Sequence, residues 1–174
     1  VLPNFGRRWV SDDVTNPRLH VCTGNICRSP MAEKMFAHQI DRRGLGDAVR
    51  VSSAGTGAWH VGEPADDRAA QVLRAHGYPA DHCAAHVDAD HLSADLVIAL
   101  SRDHVRLLEH FGVEGPRIRM LRSFDPRSQA QPLDVEDPYY GDHDDFEATF
   151  TVIEAALPGL HAWVDEQLTE NGRH

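Results

Sequence analysis

Cys22-Thr23-Gly24-Asn25-Ile26-Cys27-Arg28-Ser29 sets a thiol and a guanidinium at the two ends of a five-residue loop. Wound tightly, such a loop turns several backbone N–H groups onto one oxyanion, and Gly24 supplies the backbone freedom that winding requires. Arg28 adds a planar fork able to take two phosphate oxygens. Ser29-Pro30 reads as a helix start, with Ser29 as N-cap and Pro30 at the first helical position, which brings positive potential to the same point. Thr23, Gly24, Asn25, Ile26, Cys27 and Ser29 are then the phosphate-binding set, Arg28 is the clamp, and Cys22 lies inside their field. That field is expected to lower a thiol pKa of about 8.5 into the range of roughly 3.5 to 7.5, making Cys22 a thiolate at neutral pH. Attack by the thiolate on an aryl phosphate gives a cysteinyl-phosphate, and the departing phenolate needs a proton.

Asp137 is the candidate donor, and its carboxylate could later activate water. It stands in Asp134-Val135-Glu136-Asp137-Pro138-Tyr139-Tyr140-Gly141-Asp142, where Pro138 stiffens the loop and Tyr139 and Tyr140 offer aromatic walls for a phenyl ring. The plainer reading of Asp137 is one more solvated charge among acidic neighbours. Tyr139 and Tyr140 also read as structural residues or as phosphorylation targets. Cys22 and Cys27 read alone are small buried hydrophobes, a reading the surrounding loop outweighs. For Cys27, core filler and a reversible disulfide with Cys22 stay equally open. His82, Cys83 and His86 have a spacing that could gather on one helical turn, but the chain has 12 histidines and neither a C-x-x-C pair nor H-E-x-x-H. No metal and no cofactor are expected.

The elements that must position these residues alternate. Leu19-His20-Val21 is a short strand running into the loop, and Ala32, Met35, Phe36 and Ile40 recur at helical spacing after it. Val49 and Val51 mark a second strand; Ala69, Val72 and Leu73 a helix stopped at Gly77. Leu96 to Leu100 is a continuous apolar run suited to a strand covered on both faces. Val105, Leu108 and Phe111 give the next helix, closed by Gly112, and Ile118 to Leu121 a fourth strand. A long stripe from Phe146 to Leu168 forms the last helix, with Pro158 inside it as a possible kink. The alternation predicts an α/β domain with a four-stranded parallel sheet and right-handed crossovers. Cys22 ends the first strand, and Asp137 lies in a long structureless segment before the last helix. Both therefore fall beyond strand ends, where such sheets bind ligands.

The 174 residues suffice for one core, 41% of them hydrophobic. Residues 1 to 17 show no sustained period and read as a flexible N-terminal extension, with one domain over 18 to 174. Seventeen basic against 27 acidic residues give a net charge of −10, which repels nucleic acid and anionic membranes, so neither is an expected partner. A phosphate site must then draw on local positive potential. Three cysteines are too few for a disulfide scaffold and favour a reducing compartment. The cytoplasm is the expected location, with export compatible although no signal peptide is visible.

C-T-G-N-I-C-R-S-P followed by a distant D-P-Y-Y resembles the low-molecular-weight protein tyrosine phosphatases, over roughly residues 19 to 170. Ser52-Ser53-Ala54-Gly55-Thr56 resembles a further family segment. The resemblance implies a three-layer α/β fold with helices on both faces of the sheet, a phosphate-binding loop after the first strand, and hydrolysis of phosphotyrosine through a phosphocysteine intermediate. It implies that Asn25 and Ser53 shape the loop, that Ser29 hydrogen-bonds the thiolate, that His82 supports the network and that Trp59 walls the substrate crevice. Phosphotyrosine proteins are the implied partners, a cognate tyrosine kinase is compatible, and a monomer is expected. Relatives carry a longer apolar first strand, and commonly an acid and a glutamine where Ser101 and His86 stand. A thioredoxin-linked arsenate reductase shares the loop but needs a further pair of cysteines, of which only Cys83 is available. A phosphotyrosine-binding module without turnover is the rival from another class.

Overall fold

The computed structural model describes residues 18–19, 28–55, 61–128 and 132–171. The expected extension 1–17 lies outside them, as do residues 22–27 of the phosphate loop and Trp59. Strand β1, Arg18–Leu19, pairs in parallel with β2, Arg50–Val51, setting Leu19 opposite Val51. Strand β3, Val97–Ala99, pairs in parallel with β4, Ile118–Met120, in the register Val97 to Ile118. A parallel bridge between Gly55 and His86 stands apart from both pairs. Parallel neighbours require a crossover. Helix α1, Arg28–Arg42, supplies it between β1 and β2, and α4, Arg102–His110, between β3 and β4. Helices α2, Asp67–Ala75, and α3, Ala89–Leu92, fall between the pairs, and α5, His143–Asn171, ends the described chain.

The apolar run around β3 works on two sides. Leu96, Ile98 and Leu100 join the larger core cluster with Phe36, Phe146 and Leu157, whereas Val97 and Ala99 join a smaller one with Leu108, Val113 and Ile118. This period of two is the side-chain alternation of a strand. Burial of a side chain the size of Ile98 contributes about 1.5–3 kcal/mol. Helix α1 buries Met31, Met35, Phe36 and Ile40 on one stripe, and α5 buries Phe146, Phe150, Ile153, Leu157, Leu160 and Val164. Gly159 lets α5 approach the backbone closely, because a Cβ there would run into the Phe124 carbonyl.

Three local expectations change. Helix α1 starts at Arg28, so Ser29 lies inside its first turn and is not the N-cap. Pro30 still falls in that turn, where N–H groups have no intrahelical partner to lose. The segment expected to be structureless before α5 contains 3₁₀ turns at Leu121–Phe124, Pro126–Ser128 and Pro138–Tyr140, two of them opened by a proline whose φ suits the turn. Helix α3 was not expected; Asp88 caps it by accepting a hydrogen bond from the His91 N–H at 3.0 Å.

Candidate active site

Arg28, the first residue of α1, is 7% exposed. Its Nη1 donates to the Val135 carbonyl at 2.8 Å, and its Nη2 stands 3.5 Å from Asp137 Oδ2. The two residues are 109 positions apart in sequence, and the fold brings the predicted clamp and the predicted acid into contact. Asp137 caps the 3₁₀ turn Pro138–Tyr140, its Oδ1 accepting from the Tyr139 N–H at 3.1 Å. One carboxylate oxygen is thus fixed by the loop while the other faces Arg28. About half of the Asp137 side chain remains exposed, so the carboxyl keeps access to solvent.

The segment carrying Asp137 is fastened at several points. The Val135 N–H donates to the Leu100 carbonyl at the end of β3, 2.8 Å away, and the Arg102 N–H donates to Asp134 Oδ1 at 2.9 Å. Arg122 Nη1 donates to the Pro132 and Asp134 carbonyls at 2.8 and 3.1 Å. Arg68, whose guanidinium lies 4.6 Å from the centre of the Phe146 ring, donates to the Gly141 and Tyr139 carbonyls, each at 2.9 Å. Asp66 braces Arg68 from behind, and that hydrogen bond holds the Asp66 carboxyl below its ordinary pKa. Three arginines therefore tie down carbonyls of one loop, each with a geometry suited to two acceptors. Arg68 and Arg122 were not singled out in the sequence, where nothing distinguishes them from the other surface arginines.

One turn into α1, Glu33 gathers two of the predicted supporting residues. Ser53 Oγ donates to Glu33 Oε2, and His82 Nδ1 lies 3.3 Å from the same oxygen, with the His82 side chain almost wholly buried. Glu33 was missed as well; its signal was its place one helical turn beyond Ser29. Ser29 is buried, and its Oγ has no hydrogen-bond partner among the described residues. Tyr139 is partly exposed and Tyr140 almost fully, their rings meeting edge to face at 4.9 Å. Ser101 serves as N-cap of α4, its Oγ accepting from the His104 N–H at 3.4 Å. His86 forms the bridge to Gly55. Cys83 is exposed, and no cluster suited to a metal occurs among the described residues.

His104, 3% exposed, is a further missed residue. Burial, and secondarily the Arg28 charge, push its pKa down to about 4, while Asp103, Asp137 and Asp134 act weakly the other way. It stays neutral at physiological pH beside the clamp, adding no positive charge to repel Arg28.

A parallel α/β domain with a buried arginine at the first helix N-terminus, facing an aspartate on the loop before the last helix, defines a class of anion-handling site beyond strand ends. The chain belongs to the low molecular weight phosphotyrosine protein phosphatase family, which it matches over residues 19–172, and is a hydrolase of that class. It is 73% identical over 152 residues to low molecular weight protein-tyrosine phosphatase A of Mycobacterium tuberculosis, covering 87% of this chain and 93% of the relative. It is 33% identical over 146 residues to the Homo sapiens low molecular weight phosphotyrosine protein phosphatase, covering 81% and 90%. The crystal structure of a protein tyrosine phosphatase from Entamoeba histolytica superposes with a TM-score of 0.79 at 29% identity, covering 87% of this chain and 98% of that one.

Proposed function

We propose that this phosphatase hydrolyses phosphotyrosine in proteins by a two-step displacement, with Cys22 as nucleophile, Arg28 as phosphate clamp and Asp137 as general acid and then base. The Cys22 thiolate attacks phosphorus, the P–O bond to the tyrosyl oxygen breaks, and the Asp137 carboxyl gives its proton to the leaving phenolate. Water then attacks the cysteinyl-phosphate, passing a proton to the Asp137 carboxylate; inorganic phosphate leaves and the thiolate is restored. The observation that carries this reading is the 3.5 Å approach of Asp137 to Arg28 across the whole sequence. An acid held there lies beside the phosphate that the clamp would bind, within reach of the bridging oxygen.

Thr23 to Cys27 and Ser29 complete the phosphate cradle in this scheme, with Ser53 and His82 holding it through Glu33, and Trp59, Tyr139 and Tyr140 flanking the substrate ring. The domain runs from 18 to 174, and its strands belong to one four-stranded sheet with helices on both faces; burial of β3 on two sides supports this. The test is phosphate release from a phosphotyrosine peptide under reducing conditions. Cys22→Ser is expected to abolish turnover, and Asp137→Asn to lower kcat by about 10²- to 10⁴-fold. A folded native chain that binds the peptide without turnover would instead make it a phosphotyrosine-binding module.

A further inference from the structure

At the opposite end of α1 from Arg28, roughly 20 Å away along the helix axis, lies a cleft of about 490 Å³. Its volume is in the range of small-ligand sites. The last turns of α1, the turn after α2 and the middle of α5 enclose it, and no acidic residue lines it. In a chain of net charge −10 that composition is unusual.

A relay of hydrogen bonds fixes one wall. Arg43 Nη2 donates to Asp165 at 2.5 Å and its Nη1 to His161 Nδ1 at 3.0 Å. An arginine can only donate, so Nδ1 accepts and the neutral ring carries its proton on Nε2, which donates to Gln39 Oε1 at 2.8 Å. Burial and the Arg43 charge both lower the His161 pKa, in keeping with that tautomer. Gln39 Nε2 in turn donates to the Tyr78 hydroxyl oxygen at 2.8 Å. The hydroxyl has accepted from inside the wall, so its own proton is left to donate outward. Arg42 also lines the cleft, and its guanidinium has no ion pair or hydrogen bond among the described residues. His38 packs edge-on against Tyr78 at 5.4 Å. His76 lines the other side, stacked on Phe150 and 2.8 Å from Glu147.

We infer that this cleft is a second binding site, for a small molecule carrying a phosphate or carboxylate group, with Arg42 pairing the oxyanion and the Tyr78 hydroxyl donating to it. From outside the lining Asp165 pairs with Arg43 and Glu147 holds the His76 ring, which leaves the Arg42 guanidinium available to a ligand. The wall is ordered before binding, so little side-chain entropy remains to be lost there.

The probes are inorganic pyrophosphate and citrate, titrated into the full chain at constant ionic strength while the His38 and His76 ring signals are followed by NMR. Pyrophosphate bound at Arg28 would not reach these rings, which lie at the other end of α1. Saturable shifts with either probe are expected, weakened about tenfold in Arg42→Gln and weakened also in Tyr78→Phe. Preference for one probe identifies phosphate or carboxylate as the preferred group. Shifts that stay linear with both, or equal affinity in the native chain and Arg42→Gln, overturn the assignment. Arg42 is exposed and holds no contact in the core, so its variant is expected to fold.

Discussion

His104 shows how a single residue couples the candidate site to stability. Its imidazole is held at about pKa 4 when folded, against an ordinary value of 6.5, chiefly because burial disfavours the charged ring. Between those two values the unfolded chain takes a proton that the folded chain refuses. The stabilisation from keeping the ring neutral is therefore complete above pH 6.5 and is lost as pH falls from 6.5 toward 4. Against His104→Asn, which cannot titrate, the native chain should lose about 2 to 3 kcal/mol of unfolding free energy between pH 7 and pH 4.5. Urea unfolding of both proteins at both pH values checks this, and a difference independent of pH would sink it. The sequence did not point to His104, because a histidine early in an amphipathic helix looks like any other until the tertiary fold buries it. The pairing of Arg28 with Asp137 was legible because both stand in motifs: an arginine six residues after a thiol, and an aspartate followed by Pro-Tyr-Tyr.

Among the elements, α1, α2, α5 and β3 bury most of the stripe that their spacing predicts, whereas α4 departs from it: of Val105, Leu108 and Phe111 only Leu108 is buried, Phe111 is exposed, and His104 takes the other buried position. What the sequence hid was the acid-bearing loop. Its order comes from arginine donors reaching backbone carbonyls, and a carbonyl as partner leaves no trace in residue type. Those bonds make a separable prediction. Arg122 holds the Pro132 and Asp134 carbonyls, three residues or more before Asp137. Arg122→Gln should let the acid drift without disturbing Arg28. Misplacement of a catalytic group by as little as an ångström is costly, so kcat toward a phosphotyrosine peptide is expected to fall about tenfold with KM nearly unchanged. A raised KM with native kcat would show instead that Arg122 serves substrate binding. The 3₁₀ turn at Pro138–Tyr140 follows the same logic: Pro138 presets the turn, and the Arg68 bonds from α2 help fix where it sits.

At the scale of the whole molecule, β3 is the element that both core clusters share. Ile98 points into the larger cluster with α1 and α5, while Val97 and Ala99 point into the smaller one with Leu108 of α4 and Ile118 of β4. A strand of three residues gives each cluster little independent support, so loss of packing on either side should be felt on the other. Ile98→Ala and Leu108→Ala remove side chains that are almost fully buried on opposite sides of that strand. Each is expected to cost about 2–5 kcal/mol, the range for large-to-small core changes. If the clusters form one cooperative unit, each variant unfolds in urea in a single transition with the native slope, and amide protection falls equally in α4 and α5. If Leu108→Ala loosens α4 while α5 keeps its protection, the smaller cluster is a separate unit. The acid-bearing loop tells the two cases apart functionally. Val135 is itself buried in the larger cluster yet hydrogen-bonds Leu100 at the end of β3, and Arg102 at the head of α4 bonds Asp134. Separate melting of α4 would therefore release one tether of the loop and lower kcat under conditions where the larger core is still folded; one cooperative unit predicts that activity and structure are lost together.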